Sequence, residues 1–263
     1  MSDSYDILIV DDEPVLIGAT KRIFLPENLT VDDAPSADVA LDKLQQRRYR
    51  LVLSDLMLPG AQGIELLQAI RKSRQDIPVV MITGYATLGS AIESFKNGAF
   101  DFLPKPFDVA ELLAVTRRAL KFSELDPAAR QNLSPAEFAR HWQVPAEDFT
   151  ELLTLGQHAW VGLMRNGSAR IGAGESFRGV GDSVRAVELP KAGEDTLQGN
   201  ECARVITEDG LVHRLWAPLS GTIFEANHAW DSDAGSPESV TETWLLGVVP
   251  SNLENESGNL TAR

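Results

Sequence analysis

Five residues in the first half of the chain have the types that phosphoryl chemistry needs: Asp11, Asp12, Asp55, Thr83 and Lys105. Three carboxylates brought together repel one another and cannot all stay ionised without a counter-charge. Mg²⁺, a hard cation that takes oxygen ligands and keeps some of its water, meets that need. It would polarise a phosphoryl oxygen while the Asp55 carboxylate attacks phosphorus, giving an acyl phosphate. Lys105 is a compact cation suited to pairing with the transferred group, and the Thr83 hydroxyl can donate to one of its oxygens. Singly, each residue has a plainer reading, since a strand-end Asp often caps a helix and a lone Lys is usually solvated. The set of five has none.

These residues need a frame that brings them to one rim, and the first ~122 residues supply one. Apolar runs at Tyr5–Val10, Thr30–Asp33, Leu51–Ser54, Ile77–Thr83 and Ala99–Leu103 alternate with helical spacing. The helices are expected at Pro14–Leu25, Ser36–Gln46, Gly63–Ser73, Thr87–Asn97 and Asp108–Phe122, with Asp108 as a cap and Gly98 as a stop. Nearly continuous apolar strands joined by helices predict a five-stranded parallel, doubly wound α/β sheet of the flavodoxin-like type. In such sheets chemistry sits at the carboxyl ends of the strands. Asp11, Asp12, Asp55, Thr83 and Lys105 all fall there.

The order Asp-Asp, Asp, Thr, Lys-Pro, with the runs DLMLPGAQGIELL and MITGYATLGSAIESFKNGAFDFLPKPF, resembles the receiver domain of two-component response regulators of the nitrogen-regulator type. The resemblance covers nearly half the chain. It implies Asp55 as phosphoacceptor, with a histidine kinase or phosphotransfer protein as donor. It implies Mg²⁺ held by Asp11, Asp12, Asp55 and the backbone carbonyl of Met57. It also implies Thr83 and Phe102 as a switch pair, the aromatic ring following the hydroxyl inward, and a homodimer through the fourth helix, fifth strand and fifth helix. Such a domain accepts and loses its own phosphoryl group and is not a turnover enzyme.

The second half has a different texture. Residues 123–150 read as a polar linker with a short helix starting at the capping box Ser134-Pro135-Ala136-Glu137. Beyond it, short β-type runs separated by Gly, Pro, Asn and Asp predict an all-β module over 151–252, and 253–263 reads as a disordered tail. This module resembles the H protein of the glycine-cleavage system, a lipoyl-carrying barrel-sandwich hybrid. The resemblance rests on His158-Ala159-Trp160-Val161, Gly181-Asp182-Ser183-Val184, Leu189-Pro190-Lys191-Ala192-Gly193 and above all Leu215-Trp216-Ala217-Pro218-Leu219-Ser220-Gly221. In that family a hairpin-tip lysine carries the lipoyl group. Here the position falls at Gly210, within Asp209-Gly210, a dipeptide that signals a two-residue hairpin turn. No lysine follows Lys191, so no conventional lipoyl carrier is expected. His158, His213 and His228 lack metal-ligand spacing. Cys202 reads as a small buried hydrophobe and the tryptophans as core.

Composition narrows the function further. A chain of 263 residues has room for two domains, and the charge of −14 divides into −3 over residues 1–122 and −11 over 123–263. That sign argues against nucleic acid. One cysteine, no apolar run of membrane length and no leader pattern suit a cytoplasmic protein. The expectation is a signalling adaptor in which phosphorylation of Asp55 changes how a non-lipoylated H-like module meets a protein partner. The alternatives are a DNA-binding transcription regulator, which lacks a visible helix-turn-helix, and a redox or carrier protein with a non-standard attachment residue.

Overall fold

The computed structural model describes residues 4–60, 62–73, 76–125, 140, 146–230 and 239–262. The first half forms a parallel sheet in the order β2-β1-β3-β4-β5. Its strands are β1 (Ser4–Val10), β2 (Val31–Ala34), β3 (Arg48–Asp55), β4 (Val79–Thr83) and β5 (Asp101–Pro104). Ile7, Leu8, Ile9 and Val10 are all buried, as both faces of a doubly wound sheet require. Helices α1 (Pro14–Phe24), α2 (Ala37–Gln46), α3 (Gly63–Ser73), α4 (Leu88–Lys96) and α5 (Val109–Glu124) cover them. The expected caps are present. In the α5 capping box, Glu111 N–H donates to Asp108 Oδ1 at 2.8 Å and Asp108 N–H donates to Glu111 Oε2 at 3.0 Å. Gly98 takes the positive φ of 88° that ends α4.

The second half is all-β. One antiparallel sheet of seven strands runs β10-β13-β14-β8-β7-β6-β15, and a three-stranded sheet runs β12-β11-β9. The strands are β6 (Phe149–Leu155), β7 (Ala159–Met164), β8 (Ala169–Ala173), β9 (Val184–Glu188), β10 (Asp195–Thr196), β11 (Glu201–Thr207), β12 (Val212–Trp216), β13 (Gly221–Ala226), β14 (Trp244–Pro250) and β15 (Thr261–Ala262). The helix expected at Ser134 lies outside the described residues.

Three sequence expectations need correction. The module begins inside the stretch assigned to the linker, because β6 starts at Phe149 and pairs with β7. Polar Thr150 and Glu151 masked this strand, which turns Leu152, Leu153 and Leu155 into the core. Residues 253–262 are not a disordered tail. They form helix α6 (Leu253–Glu256), a 3₁₀ turn at Ser257–Asn259 and β15, which pairs with β6. The anchor is the buried Glu256 carboxylate, which accepts from Ser220 N–H at 2.7 Å and from Ser220 Oγ at 2.6 Å. A polar composition concealed that tether. Finally, the hairpin between β11 and β12 is not a two-residue turn. Thr207 N–H donates to the Leu211 carbonyl at 3.0 Å, enclosing Glu208, Asp209 and Gly210, with Gly210 at φ +80°.

The two halves share one apolar core. A contiguous cluster includes Phe95 and Phe102 of the α/β half and Leu155, Phe177 and Trp216 of the β module. The 3₁₀ segment Glu175–Ser183 lies along α5 so closely that a Cβ on Gly179 would sit 2.2 Å from the Arg118 carbonyl oxygen. Only glycine permits this approach.

Candidate functional site

The strand ends gather the expected groups. Asp11 follows β1, Asp55 closes β3, Thr83 closes β4 and Lys105 follows β5. Asp11, Asp55 and Thr83 are buried, and Asp12 is exposed beside them. Lys105 Nζ donates to Asp11 Oδ2 at 2.9 Å and to Asp55 Oδ2 at 2.5 Å. The second oxygens are used locally: Glu13 N–H donates to Asp11 Oδ1 and Met57 N–H to Asp55 Oδ1, both at 2.8 Å. Burial alone would lower the Lys105 pKa, but its bonds to Asp55 and Asp11 outweigh it and hold the ammonium above its ordinary value. Two buried carboxylates thus share one cation.

Among the described residues, no three acidic, histidine or cysteine side chains are drawn close enough to hold a metal ion. Lys105 supplies the counter-charge between Asp11 and Asp55, and Asp12 stands toward solvent. The donor chemistry fits a hard divalent cation nonetheless: two buried carboxylates, an exposed third, and the main chain of the half-exposed Met57 at the mouth. Thr83 Oγ1 accepts from Tyr85 N–H at 3.1 Å, so the hydroxyl lies at the rim beside the carboxylates' strand.

Phe102, the expected switch aromatic, is buried, and its ring meets Trp216 of the β module edge-on with centroids 6.2 Å apart. Around this contact is a buried polar cluster that sequence reasoning missed. Arg118 of α5 pairs with Asp101 of β5. Asp101 Oδ1 also accepts from Trp216 Nε1 at 3.2 Å. Trp216 N–H donates to His158 Nε2 at 3.0 Å, and the His158 ring packs on Phe95 of α4 at 4.5 Å. Burial pushes the Asp101 carboxyl up and Arg118 pulls it back. A signal was available in the sequence: Arg118 interrupts the apolar stripe Leu112, Val115, Ala119 and Phe122, and Asp101 interrupts a strand of buried type. A charge at a core position needs a partner.

At the rim of this interface, Arg117 Nη1 donates to Asp209 Oδ2 of the hairpin tip at 2.9 Å, and Arg214 pairs with Glu111. The exposed Gly210, at the position expected for a lipoyl lysine, is next to a residue tied to α5. The α4–β5–α5 face, through which the receiver resemblance implies pairing with a second copy, is therefore covered by the chain's own β module. Of the residues expected to be inert, Cys202 is buried and its thiol is pushed far up by burial, so it is a poor nucleophile.

Residues 7–117 match the family model described as response regulator receiver domain, and residues 152–263 match that described as glycine cleavage H-protein. The nitrogen assimilation regulatory protein NtrX of Azorhizobium caulinodans is 38% identical over 130 residues, which are 49% of this chain and 29% of that protein. The C4-dicarboxylate transport transcriptional regulatory protein DctD of Pseudomonas aeruginosa is 37% identical over 122 residues, 45% of this chain and 26% of that protein. This chain thus spans less than a third of the length of these curated relatives. The crystal structure of the receiver domain of NtrX from Brucella abortus is 38% identical, with 44% of this chain and 98% of that one covered and a TM-score of 0.43. No described helix is long and apolar enough to cross a membrane.

Proposed function

From a chain that joins a response regulator receiver domain to a glycine-cleavage H-protein-like domain, we propose a two-component adaptor in which phosphorylation of Asp55 frees the β module from the α4–β5–α5 face. The phosphoryl group comes from the phosphohistidine of a histidine kinase or phosphotransfer protein. Its P–N bond breaks as an Asp55 oxygen bonds to phosphorus. Asp11, Asp12, Asp55 and the Met57 carbonyl would hold Mg²⁺, which supplies charge neutralisation for the phosphoryl oxygens. Lys105 then releases its bond to Asp55 and pairs with the new anion, and the Thr83 hydroxyl turns to donate to it. The domain takes up and loses its own phosphoryl group and turns over no separate substrate.

The edge contact between Phe102 and Trp216 carries this reading. Phe102 lies on β5, the strand paired with the one that ends in Thr83. A shift of Thr83 toward the phosphoryl group opens space at that strand end, and a ring that follows inward abandons Trp216. The added charge biases docking only through this differential contact. The module that is released lacks an attachment lysine and is acidic, so it acts by binding a protein rather than by carrying a group.

Hydrogen exchange with and without acetyl phosphate and Mg²⁺ tests the proposal. Amides of α5 and of 175–183 should exchange faster on phosphorylation, and Asp55→Ala should abolish the change. Equal exchange in a protein shown by mass to be phosphorylated would sink the coupling. A second expected result needs no phosphate. Gly179→Val should wedge the module from α5, because its side chain meets backbone at Arg118 and Phe122. Small-angle scattering should show an extended particle for this variant, and a wild-type profile would count against the close approach as the docking contact.

A further inference from the structure

The seven-stranded sheet has two faces, and only one of them meets the shared core. Side chains alternate across a strand. Leu153, Leu155, Val161 and Ile171 turn into that core. Leu152 of β6 and Trp160 of β7 point the other way and form a separate cluster. Both are nevertheless only 2% exposed. The sheet around them supplies a floor and no roof. Trp160 pairs with Gly172 on one side, Trp244 pairs with the same glycine from the far side, and Leu152 pairs with Gly162. Among the described residues, the apolar side chains packed against the pair are Phe149 and Trp244, each partly exposed itself. Those two rings border the patch. Closing the upper face of a tryptophan takes further large apolar side chains.

The burial is reached within one chain, so the cover is part of that chain. Two internal stretches of some length lie outside the described residues, 126–145 apart from Arg140, and 231–238. Residues 231–238 read Asp-Ser-Asp-Ala-Gly-Ser-Pro-Glu and offer no large apolar side chain. The interdomain stretch offers Leu133, Phe138, Trp142 and Val144. Its sequence also specifies a helix. Ser134 and Glu137 make a capping box, Pro135 takes the first helical position, and Leu133 and Phe138 are spaced as a hydrophobic staple. Phe138 and Trp142 stand at i and i+4 on one face. Arg140, midway between them, is helical and exposed, and a helix with that residue outside turns Phe138 and Trp142 inward. The stretch leads straight into β6, the strand that carries Leu152, through the turn Ala146–Asp148.

We propose that residues 134–142 lie as an amphipathic helix on the outer face of the seven-stranded sheet, with Phe138 and Trp142 seated on Trp160 and Leu152. The β module thus includes most of what joins it to the receiver. One consequence rests on the adaptor reading. A module released from α4–β5–α5 keeps this helix, so the joint that remains is residues 126–133. Fully extended, such a joint spans at most about 29 Å. The released module swings on a short tether beside its own receiver.

Limited trypsin digestion of the full chain, with cut sites mapped by mass spectrometry, tests the helix contact. Arg130 falls in the joint and Arg140 in the docked helix, so one protein carries both the probe and its control. Cleavage after Arg140 should be slower than after Arg130 by about tenfold or more, as for a site cut only when its segment opens. Phe138→Asp combined with Trp142→Asp should abolish the difference. Oxidation of Trp160 in hydroxyl-radical footprinting should rise in the same variant. Equal cutting at the two arginines in the wild type overturns the proposal. So does a double variant in which Trp160 stays protected, a result that would assign the cover to 231–238. Each result is expected equally of Asp55→Ala and leaves phosphorylation-dependent exchange at α5 untouched, so failure here is separable from failure of the adaptor reading.

Discussion

Replacing Arg118 with leucine is expected to cost about 3–5 kcal/mol, the penalty for removing one member of a buried ion pair. The side chain is enclosed between Phe100 and Phe177 and is the cation for Asp101. Without it, Asp101 keeps only neutral donors, Phe102 N–H at 2.7 Å and Trp216 Nε1 at 3.2 Å. A buried carboxylate so placed must protonate or pull the strand end toward water. Either response disturbs the strand that carries Phe102 and the indole docked on it, so the module should loosen along with the loss of stability. The companion variant separates charge from packing. Adding Asp101→Asn to Arg118→Leu removes the stranded charge and keeps an acceptor for Trp216, and should recover about 1–3 kcal/mol. Urea unfolding followed by tryptophan fluorescence reads both. A double variant no more stable than Arg118→Leu alone would show that stacking, not the ion pair, carries the site.

The pair also shows where sequence reasoning reached its limit. The five rim residues were legible because each is fixed by a strand end, and strand ends follow from local apolar runs and caps such as Ser36, Thr87 and Asp108. The docking of the β module was not legible. It depends on long-range pairings: Asp101 with Trp216, Phe95 with His158, Arg117 with Asp209. No periodicity within either half encodes such contacts. Trp216 reads as sandwich core from its spacing and is core, but Phe102 and Asp101 of the receiver form part of its surroundings. The 253–262 segment failed for a related reason, since a polar helix is recognised as anchored only when the buried Ser220 that it caps is known. What the sequence did carry was the anomaly itself, a charge in an apolar stripe at Arg118.

The absent lysine and the docking fit one account. In a lipoyl carrier the hairpin tip must be free to swing between enzymes, and a bulky arm there could not lie against a neighbouring helix. Here the tip ends in Gly210, and Asp209 beside it is committed to Arg117. A tip without a lysine can lie against α5, and here Asp209 does so through Arg117. The acidic tip and the basic helix explain why the negative charge concentrated in the β module is compatible with an intramolecular partner.

Acidification should undock the module, and the sign follows from two histidines. Burial first, then Arg118 and Lys121, push His213 down to about 3 against Asp209, which opposes them. His158 is held well below its ordinary value by burial and by Arg118. A base whose pKa is lowered in the docked state binds fewer protons there than when exposed. Its contribution is therefore complete above the unperturbed value of about 6.5 and is lost as pH falls below it. One unit below that value the loss is about 1.4 kcal/mol for each histidine that undocking exposes. Asp101 acts in the other direction, since its raised pKa lets the docked state take up a proton first and trims the effect. Asp32, held at about 2 by Lys43, Tyr49 and Arg47 against its burial, loses its contribution only below about 4, so the window from pH 7.5 to 5 isolates the interface. Energy transfer between labels on the two halves should fall across that window, with a shallower slope in His213→Gln, which cannot take up the proton. A signal that is flat, or that rises as pH falls, would mean that the histidines stay enclosed by the module alone and that the receiver contributes nothing to their burial.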